Sequence, residues 1–309
     1  MRDIVKRKRM RSDIKEKQTY TRRGIYAPFV YPTFFMMLAL VIFPAIFLYV
    51  ISMTNYELGM RPSDVEFVGF QNYIRMFSGR DLAFWNSVRL SAVYMVLATS
   101  IQLVLGYGIA SLMNREFKLK PVAFACLIVP ITIMPAISAQ IWKLILDSER
   151  GVLNYFLSFL GIHIPFLSPG YAFWSVLLVD IWQWTPFMAL IIYAGMRSLP
   201  AEPFESAVID GAGTFQLIRY ITLPLLKPLI LLAVLLRSID ALRLFDLPFV
   251  LTRGGPGIET EFMSMRVFRL GFNHTNFIGR AAAMAVVLMI CTTIVSRILI
   301  SRMRKEADK

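Results

Sequence analysis

Asp180 is the only charge between Tyr171 and Met196, in the run Val179-Asp180-Ile181-Trp182-Gln183-Trp184-Thr185-Pro186-Phe187. A carboxylate in so apolar a segment is costly to bury, about 2.5–3.5 kcal/mol on the mildest membrane scale, and is a functional candidate by default. Trp182 and Trp184 add flat faces on which the C–H faces of a sugar ring can stack. Pro186 lacks a backbone donor and leaves a carbonyl free one turn earlier. A second apolar segment carries Arg237, Asp240, Arg243 and Asp246, three residues apart. On a helix that spacing is a slanting stripe of alternating sign. Either Arg237 pairs with Asp240 at i,i+3, or its guanidinium stays open to a carboxylate, phosphate or sulfonate through two parallel donors. For the tryptophans, the alternative to ligand contact is packing between helices or an interfacial belt.

Other chemistries find no support. Cys126 and Cys291 both lie in apolar runs, which excludes a disulfide framework. His163 and His274 are far apart and leave no material for a metal site. No glycine is followed by lysine, so the phosphate-binding G-K-[S/T] is missing, as are a G-x-S-x-G elbow and an H-E-x-x-H helix. No catalytic residue is assigned, and the chain reads as non-catalytic, with no cofactor of its own.

The elements that position these groups must be membrane spans. Apolar residues make up 57% of the 309 and charged residues only 17%, with a mean hydropathy of +0.59; a soluble domain has roughly 45–50% and 25%. A bilayer core needs about 20 apolar residues per helix. Six stretches qualify: Ala27–Ser52, Arg89–Arg115, Lys120–Lys143, Tyr171–Met196, Leu223–Leu251 and Ala281–Ile300. The basic surplus sits in the first 23 residues, after the second stretch (Arg115, Lys118, Lys120) and at the C-terminus (Arg302, Arg304, Lys305, Lys309). Positive-inside placement then predicts an all-α, N-in/C-in polytopic protein. Residues 1–24 form a basic cytoplasmic tail, 25–301 the transmembrane domain and 302–309 a second basic tail. A secondary transporter or channel for a polar solute, with no ATPase partner, accommodates the buried charges equally well.

One connection is too long to be a plain turn. Residues 198–224 link the fourth and fifth stretches, where short helix–helix connections run about 2–8 residues. Leu199-Pro200-Ala201-Glu202-Pro203 looks like a helix start, because proline and acids suit the first turn. Asp210-Gly211-Ala212-Gly213 is a break, and Thr214 suits the N-cap of a second helix over Phe215–Ile221, ending toward Pro224. A helix, a glycine elbow and a second helix on the cytoplasmic face are expected.

Glu205-Ser206-Ala207-Val208-Ile209-Asp210-Gly211-Ala212-Gly213, with Ile221-Thr222-Leu223-Pro224, resembles the E-A-A-x-x-x-G…I-x-L-P loop of ABC-importer permeases. Ser206 stands where the pattern has alanine. Phe245-Asp246, Leu251-Thr252-Arg253-Gly254-Gly255-Pro256 and Gly279-Arg280-Ala281-Ala282-Ala283 are similar to carbohydrate-uptake permeases of the maltose and glycerol-phosphate type. The resemblance implies a subunit of the bacterial inner membrane that forms half of a sugar path. Its partners would be a second homologous permease, two cytoplasmic ATPase subunits that bind ATP and Mg, and an extracytoplasmic solute-binding protein. The 205–213 segment, with Leu223 and Pro224, would couple to the ATPase. By the same resemblance Asp180, Trp182, Trp184, Phe187 and Arg237 match sugar-path positions, and Ile131 and Pro135 cavity-facing ones. Asp240 joins them as Arg237's neighbour in the stripe, and Gly254-Gly255-Pro256 would shape an outer turn. The ligand implied is a carbohydrate or polyol, acidic if Arg237 is unpaired.

Overall fold

The structure is a computed structural model that describes residue 28 and residues 30–273 and 276–307. The basic N-terminal tail, His274 and Lys309 fall outside the described residues. Among those described there is no strand, only a single β-bridge between Thr54 and Phe67. The helices are α1 (Val30–Ser52), α2 (Gln71–Phe77), α3 (Leu82–Met113), α4 (Lys120–Thr132), α5 (Pro135–Ile145), α6 (Val152–Ser158), α7 (Ala172–Arg197), α8 (Glu202–Ile209), α9 (Thr214–Leu217), α10 (Leu223–Leu242), α11 (Asp246–Leu251), α12 (Met263–Phe272) and α13 (Ile278–Ala307).

Four helices, α1, α3, α7 and α13, are long and apolar enough to cross a membrane. Of these α1 is bare on nearly all sides, with Phe34, Phe35, Leu40 and Phe43 at 54%, 64%, 64% and 66% exposure. A helix that is apolar all round and still exposed needs lipid as its solvent. In contrast α7 is the axis of the fold. It runs along α3, and Tyr94 and Ala98 of α3 bury against Val176 and Val179 of α7, with Ala139, Ala241, Leu247 and Leu251 from α5, α10 and α11 closing the same core. The crossing is tight at Gly106, where an added Cβ would lie 2.8 Å from the Met188 Cβ.

Two expected spans are broken, for one physical reason. Instead of one helix over Lys120–Lys143, α4 and α5 meet at 101°. Pro135 lacks an N–H and pushes the residue before it out of the helical region; Met134 sits at φ −58°, ψ 138°. Leu223–Leu251 is likewise not one helix. Its first part, α10, ends at Leu242 and α11 starts at Asp246. Pro248 would collide with the carbonyl of residue 244 if the helix ran on. At 20 residues α10 is long enough to span, but it carries Lys227, Arg237 and Asp240. Arg89, placed by the sequence at the edge of the second stretch, lies inside α3, which starts seven residues earlier at Leu82.

Candidate functional site: a buried polar path and a helical elbow

Arg237 does not pair with Asp240. Its Nη2 donates to Asp180 Oδ2 and its Nε donates to Gln102 Oε1 at 2.7 Å. Gln102 Nε2 in turn donates to Asp180 Oδ2 at 2.9 Å and to the Asp180 carbonyl at 3.1 Å. One amide therefore serves both charges and joins α3, α7 and α10 at a point where Arg237 is 1% and Gln102 0% exposed. The guanidinium carbon also lies 5.5 Å from the Trp184 ring centre, within the reach of a cation–π contact. The open guanidinium considered from the sequence is thus corrected, as is the i,i+3 pair. In a helix the i+3 partner of Arg237 drifts 60° round the axis, whereas Asp180 faces it across a helix contact and removes both charges from hydrocarbon together.

Against this knot lies a cavity of about 210 Å³ lined by Pro135, Asp180, Gln183, Trp184, Arg237 and Asp240, and continuing past Arg243 to Leu247. Trp184 is braced edge-on by Phe187, 5.9 Å between ring centres. The helical breaks make this space, because Pro135 opens α5 and Asp246 opens α11 beside it. Gln183, which the sequence reading passed over, donates to the Ile133 carbonyl at 2.8 Å, satisfying the acceptor that the bend frees. Trp182 and Ile131 are not among the lining residues. Trp182 packs edge-on against Trp142 of α5, 5.5 Å between centres, which is the packing alternative. Gln102 was also missed, although an amide inside an uncharged 25-residue run is a signal in kind.

A second cavity, of about 400 Å³, lies further along the same two elements. Pro135 and Asp246 stand at the first cavity; Gln140, Lys143, Phe249 and Val250 stand at the second, with Arg253, Met265, Phe268, Arg269 and Asn273. Arg253 adopts φ +53° and Gly254 φ +82°, so the Leu251-Thr252-Arg253-Gly254-Gly255-Pro256 stretch turns back on itself. Thr260 holds that turn, donating to the Gly255 carbonyl at 2.9 Å and sharing a 2.7 Å hydroxyl contact with Thr252. Behind it Glu261, fully buried, pairs with Arg266 and Arg269.

At the other end of the bundle α8 and α9 form the expected elbow. Pro203 and two acids, Glu202 and Glu205, occupy the first turn of α8. At its end the Gly211 N–H donates to the Val208 carbonyl (3.0 Å) and the Ala212 N–H to the Ala207 carbonyl (2.9 Å). This is a Schellman closure, and it requires the left-handed residue that Gly211 supplies at φ +81°. Gly213, not Thr214, is the N-cap of α9, and its N–H donates to Gln216 Oε1 at 2.8 Å. The second helix covers the expected residues but does not end toward Pro224: α9 continues without a break through a π-helical stretch over Ile218–Thr222 into α10 at Leu223-Pro224. Glu205, Ser206 and Asp210 point outward with Val208 (60% exposed), Ile209 (86%) and Phe215 (73%). A rigid knob with an apolar tip and an acidic flank can seat in a partner's cleft.

Lipid-facing helices, a charge knot at mid-bundle, stacked cavities beside broken helices and an exposed helical elbow together define a helical membrane permease. The chain belongs to the family of binding-protein-dependent transport system inner membrane components, which it matches over residues 102–305. The trehalose/maltose transport system permease protein MalF of Thermococcus litoralis is 32% identical, covering 96% of this chain and 100% of that one. The sulfoquinovosyl glycerol transport system permease protein SmoG of Agrobacterium fabrum is 36% identical over 74% of this chain and 75% of its own. Among solved structures, a bacterial ABC transporter that imports the acidic polysaccharide alginate has a chain with a TM-score of 0.78 at 20% identity, covering 92% of this chain and 96% of that one; this likeness is one of fold.

Proposed function

We propose that this permease forms half of the path of an ATP-driven, binding-protein-dependent importer for a sugar or sugar derivative. It would span a bacterial inner membrane six times, N-in and C-in, with α4–α5 and α10–α11 as broken spans. The basic clusters support that orientation, since Lys and Arg accumulate on the cytoplasmic side. The α8–α9 elbow is then cytoplasmic and the Thr252–Glu261 turn faces outward. The observation that carries the reading is the elbow together with the family match: an exposed, Schellman-closed helix suits docking to an ATPase, and a secondary transporter or channel does not account for it.

Its partners are a second homologous permease, two ATPase subunits that bind ATP and Mg, and a solute-binding protein outside. The EAA-like residues Glu205, Ser206, Ala207, Asp210, Gly211, Ala212 and Gly213 transmit ATPase closure to Leu223-Pro224 and α10. Asp180, Trp184 and Asp240, with Pro135 and the flank of Arg237, line the deeper part of the path, and Phe187 steadies Trp184. The sugar-related substrates named for the maltose- and sulfoquinovosyl-type relatives favour a saccharide.

The test is affinity purification from native membranes under mild detergent, followed by mass spectrometry of co-eluting chains and of the small molecule in the binding protein's cleft. Co-elution of an ATPase and a second permease, with a saccharide in the cleft, is expected. Elution alone would return the reading to a secondary transporter or channel, and an amino acid or peptide in the cleft would remove the sugar.

A further inference from the structure

From the charge distribution of the two cavities we infer that this permease holds an acidic saccharide by its anionic group in the outer cavity, between Lys143, Arg253 and Arg269. The inference rests on the importer reading and narrows its substrate class. The inner cavity is lined by three carboxylates, Asp180, Asp240 and Asp246, and two guanidiniums, Arg237 and Arg243. Arg237 is spent on Asp180 and Gln102, so that space offers an anion no net attraction. The outer cavity has the opposite balance, with three cations and no carboxylate among its lining residues. Arg269 is neutralised from behind by Glu261. Lys143 and Arg253 form no ion pair among the described residues, so two positive charges remain uncompensated.

The remaining lining fits a sugar. Phe249 and Phe268 stand with ring centres 5.1 Å apart and offer apolar faces, while Gln140 and Asn273 offer amides. At about 400 Å³ the space falls within the ~300–1,000 Å³ range of small-molecule pockets, which suits a mono- or disaccharide. Guanidinium and ammonium side chains lining one recess match carboxylate, phosphate or sulfonate oxygens. The Arg253 backbone is left-handed inside the Thr252–Glu261 turn that Thr260 holds, which places its Cα beside the recess, and its exposed side chain lines it.

The test uses the whole importer in lipid nanodiscs without the binding protein. Saturation-transfer NMR would compare digalacturonate and glucose 6-phosphate with neutral maltose, for the wild type, Lys143→Gln/Arg253→Asn, and Arg61→Gln as an exposed charge-loss control. Asn tolerates the left-handed backbone at 253, and both positions are at least partly exposed, so the fold is retained. Binding of at least one acidic probe, weakened roughly tenfold or more in the double variant and unchanged in Arg61→Gln, is the expected result. Failure of both acidic probes to bind overturns the inference, as does equal binding in the double variant. So does a double variant that keeps acidic-probe binding but, in a second titration with the binding protein added back, loses affinity for it, which would make the cavity a protein-docking surface. In a parallel uptake assay with the complete importer and the ligand found in the binding protein's cleft, a neutral saccharide carried at wild-type rates by the double variant sinks this inference alone; a native ligand that is no saccharide sinks the sugar reading with it.

Discussion

Asp180 and Arg237, 57 positions apart in the chain, meet between α7 and α10 with both side chains 1% exposed. Neither charge is tolerable alone at that depth, and Gln102 makes the pair a three-helix junction. The pair borders the cavity of about 210 Å³, so any movement that separates α7 from α10 must break this contact.

Removing one partner strands the other. Asp180→Asn or Arg237→Gln should destabilise the detergent-solubilised complex by about 3–5 kcal/mol, while Asp180→Leu/Arg237→Met recovers most of the loss, because apolar replacement of a whole buried pair is often neutral. Thermal unfolding followed by tryptophan fluorescence checks this. Single variants as stable as the wild type would contradict a buried junction.

At the elbow, Gly211→Pro cannot adopt φ +81° and breaks the Schellman closure, and Glu205→Lys reverses the charge of the exposed flank. Both variants should insert and assemble but lose transport and substrate-stimulated ATP hydrolysis by roughly tenfold or more, the effect of ~1.4 kcal/mol of lost coupling. ATPase assays in proteoliposomes report this directly, and wild-type coupling in either variant removes the elbow from the mechanism.

Two glycines two residues apart on α3 should behave oppositely. An added Cβ at Gly106 meets the Met188 Cβ at 2.8 Å and the Ala189 backbone nitrogen at 3.0 Å, while at Gly108 it meets nothing within 4 Å. Gly106→Ala should cost about 1–3 kcal/mol through overpacking of the α3–α7 crossing. Gly108→Ala should be neutral or stabilising by up to about 1 kcal/mol through helix propensity. The melting temperatures of the two variants, taken side by side, are the measurement.

The buried Glu261 is a different kind of anchor. It answers to both Arg266 and Arg269, and Arg266 reaches on to Asp81 at 3.2 Å. Glu261→Gln should cost about 1.5–3 kcal/mol, the worth of hydrogen bonds to a charged group, and expose the Thr252–Glu261 turn to protease. Asp81→Asn, at a partly exposed site, should cost no more than about 1 kcal/mol. Limited proteolysis with mapped cleavage sites separates the two; equal resistance would show that Glu261 is dispensable.

Much of this was legible beforehand where the signal is local. The helical class follows from runs of apolar residues, and the family from the ordered Glu205–Gly213 and Leu223-Pro224 pattern. The elbow was readable because Gly211 and Pro203 act on their own backbone. Its second helix was expected to end toward Pro224 and instead runs on into α10, since the π-helical stretch over Ile218–Thr222 that leads into Pro224 leaves no compositional mark. The prolines at 135 and 248 were visible, but not that each would break its span outright, because proline in a membrane helix kinks or breaks it according to what neighbours can satisfy the freed carbonyl. Here Gln183 does so for Ile133.

What the chain determines by itself, then, is the list of apolar helices, the elbow and the presence of ionisable groups too costly to leave in lipid. Only the tertiary structure decides which charge answers which. Asp180, Asp240 and Gln102 were all available to Arg237, and sequence spacing favours the nearest. Burial reverses that preference: a charge deep in the bundle is satisfied only by groups that other helices bring to it in the same dry space, and the Gly106 crossing is what lets α3 carry Gln102 close enough to α7. The cavity lined by three cations has the same origin, since Lys143, Arg253 and Arg269 come from three separate segments that become neighbours only when α5, α11 and α12 pack.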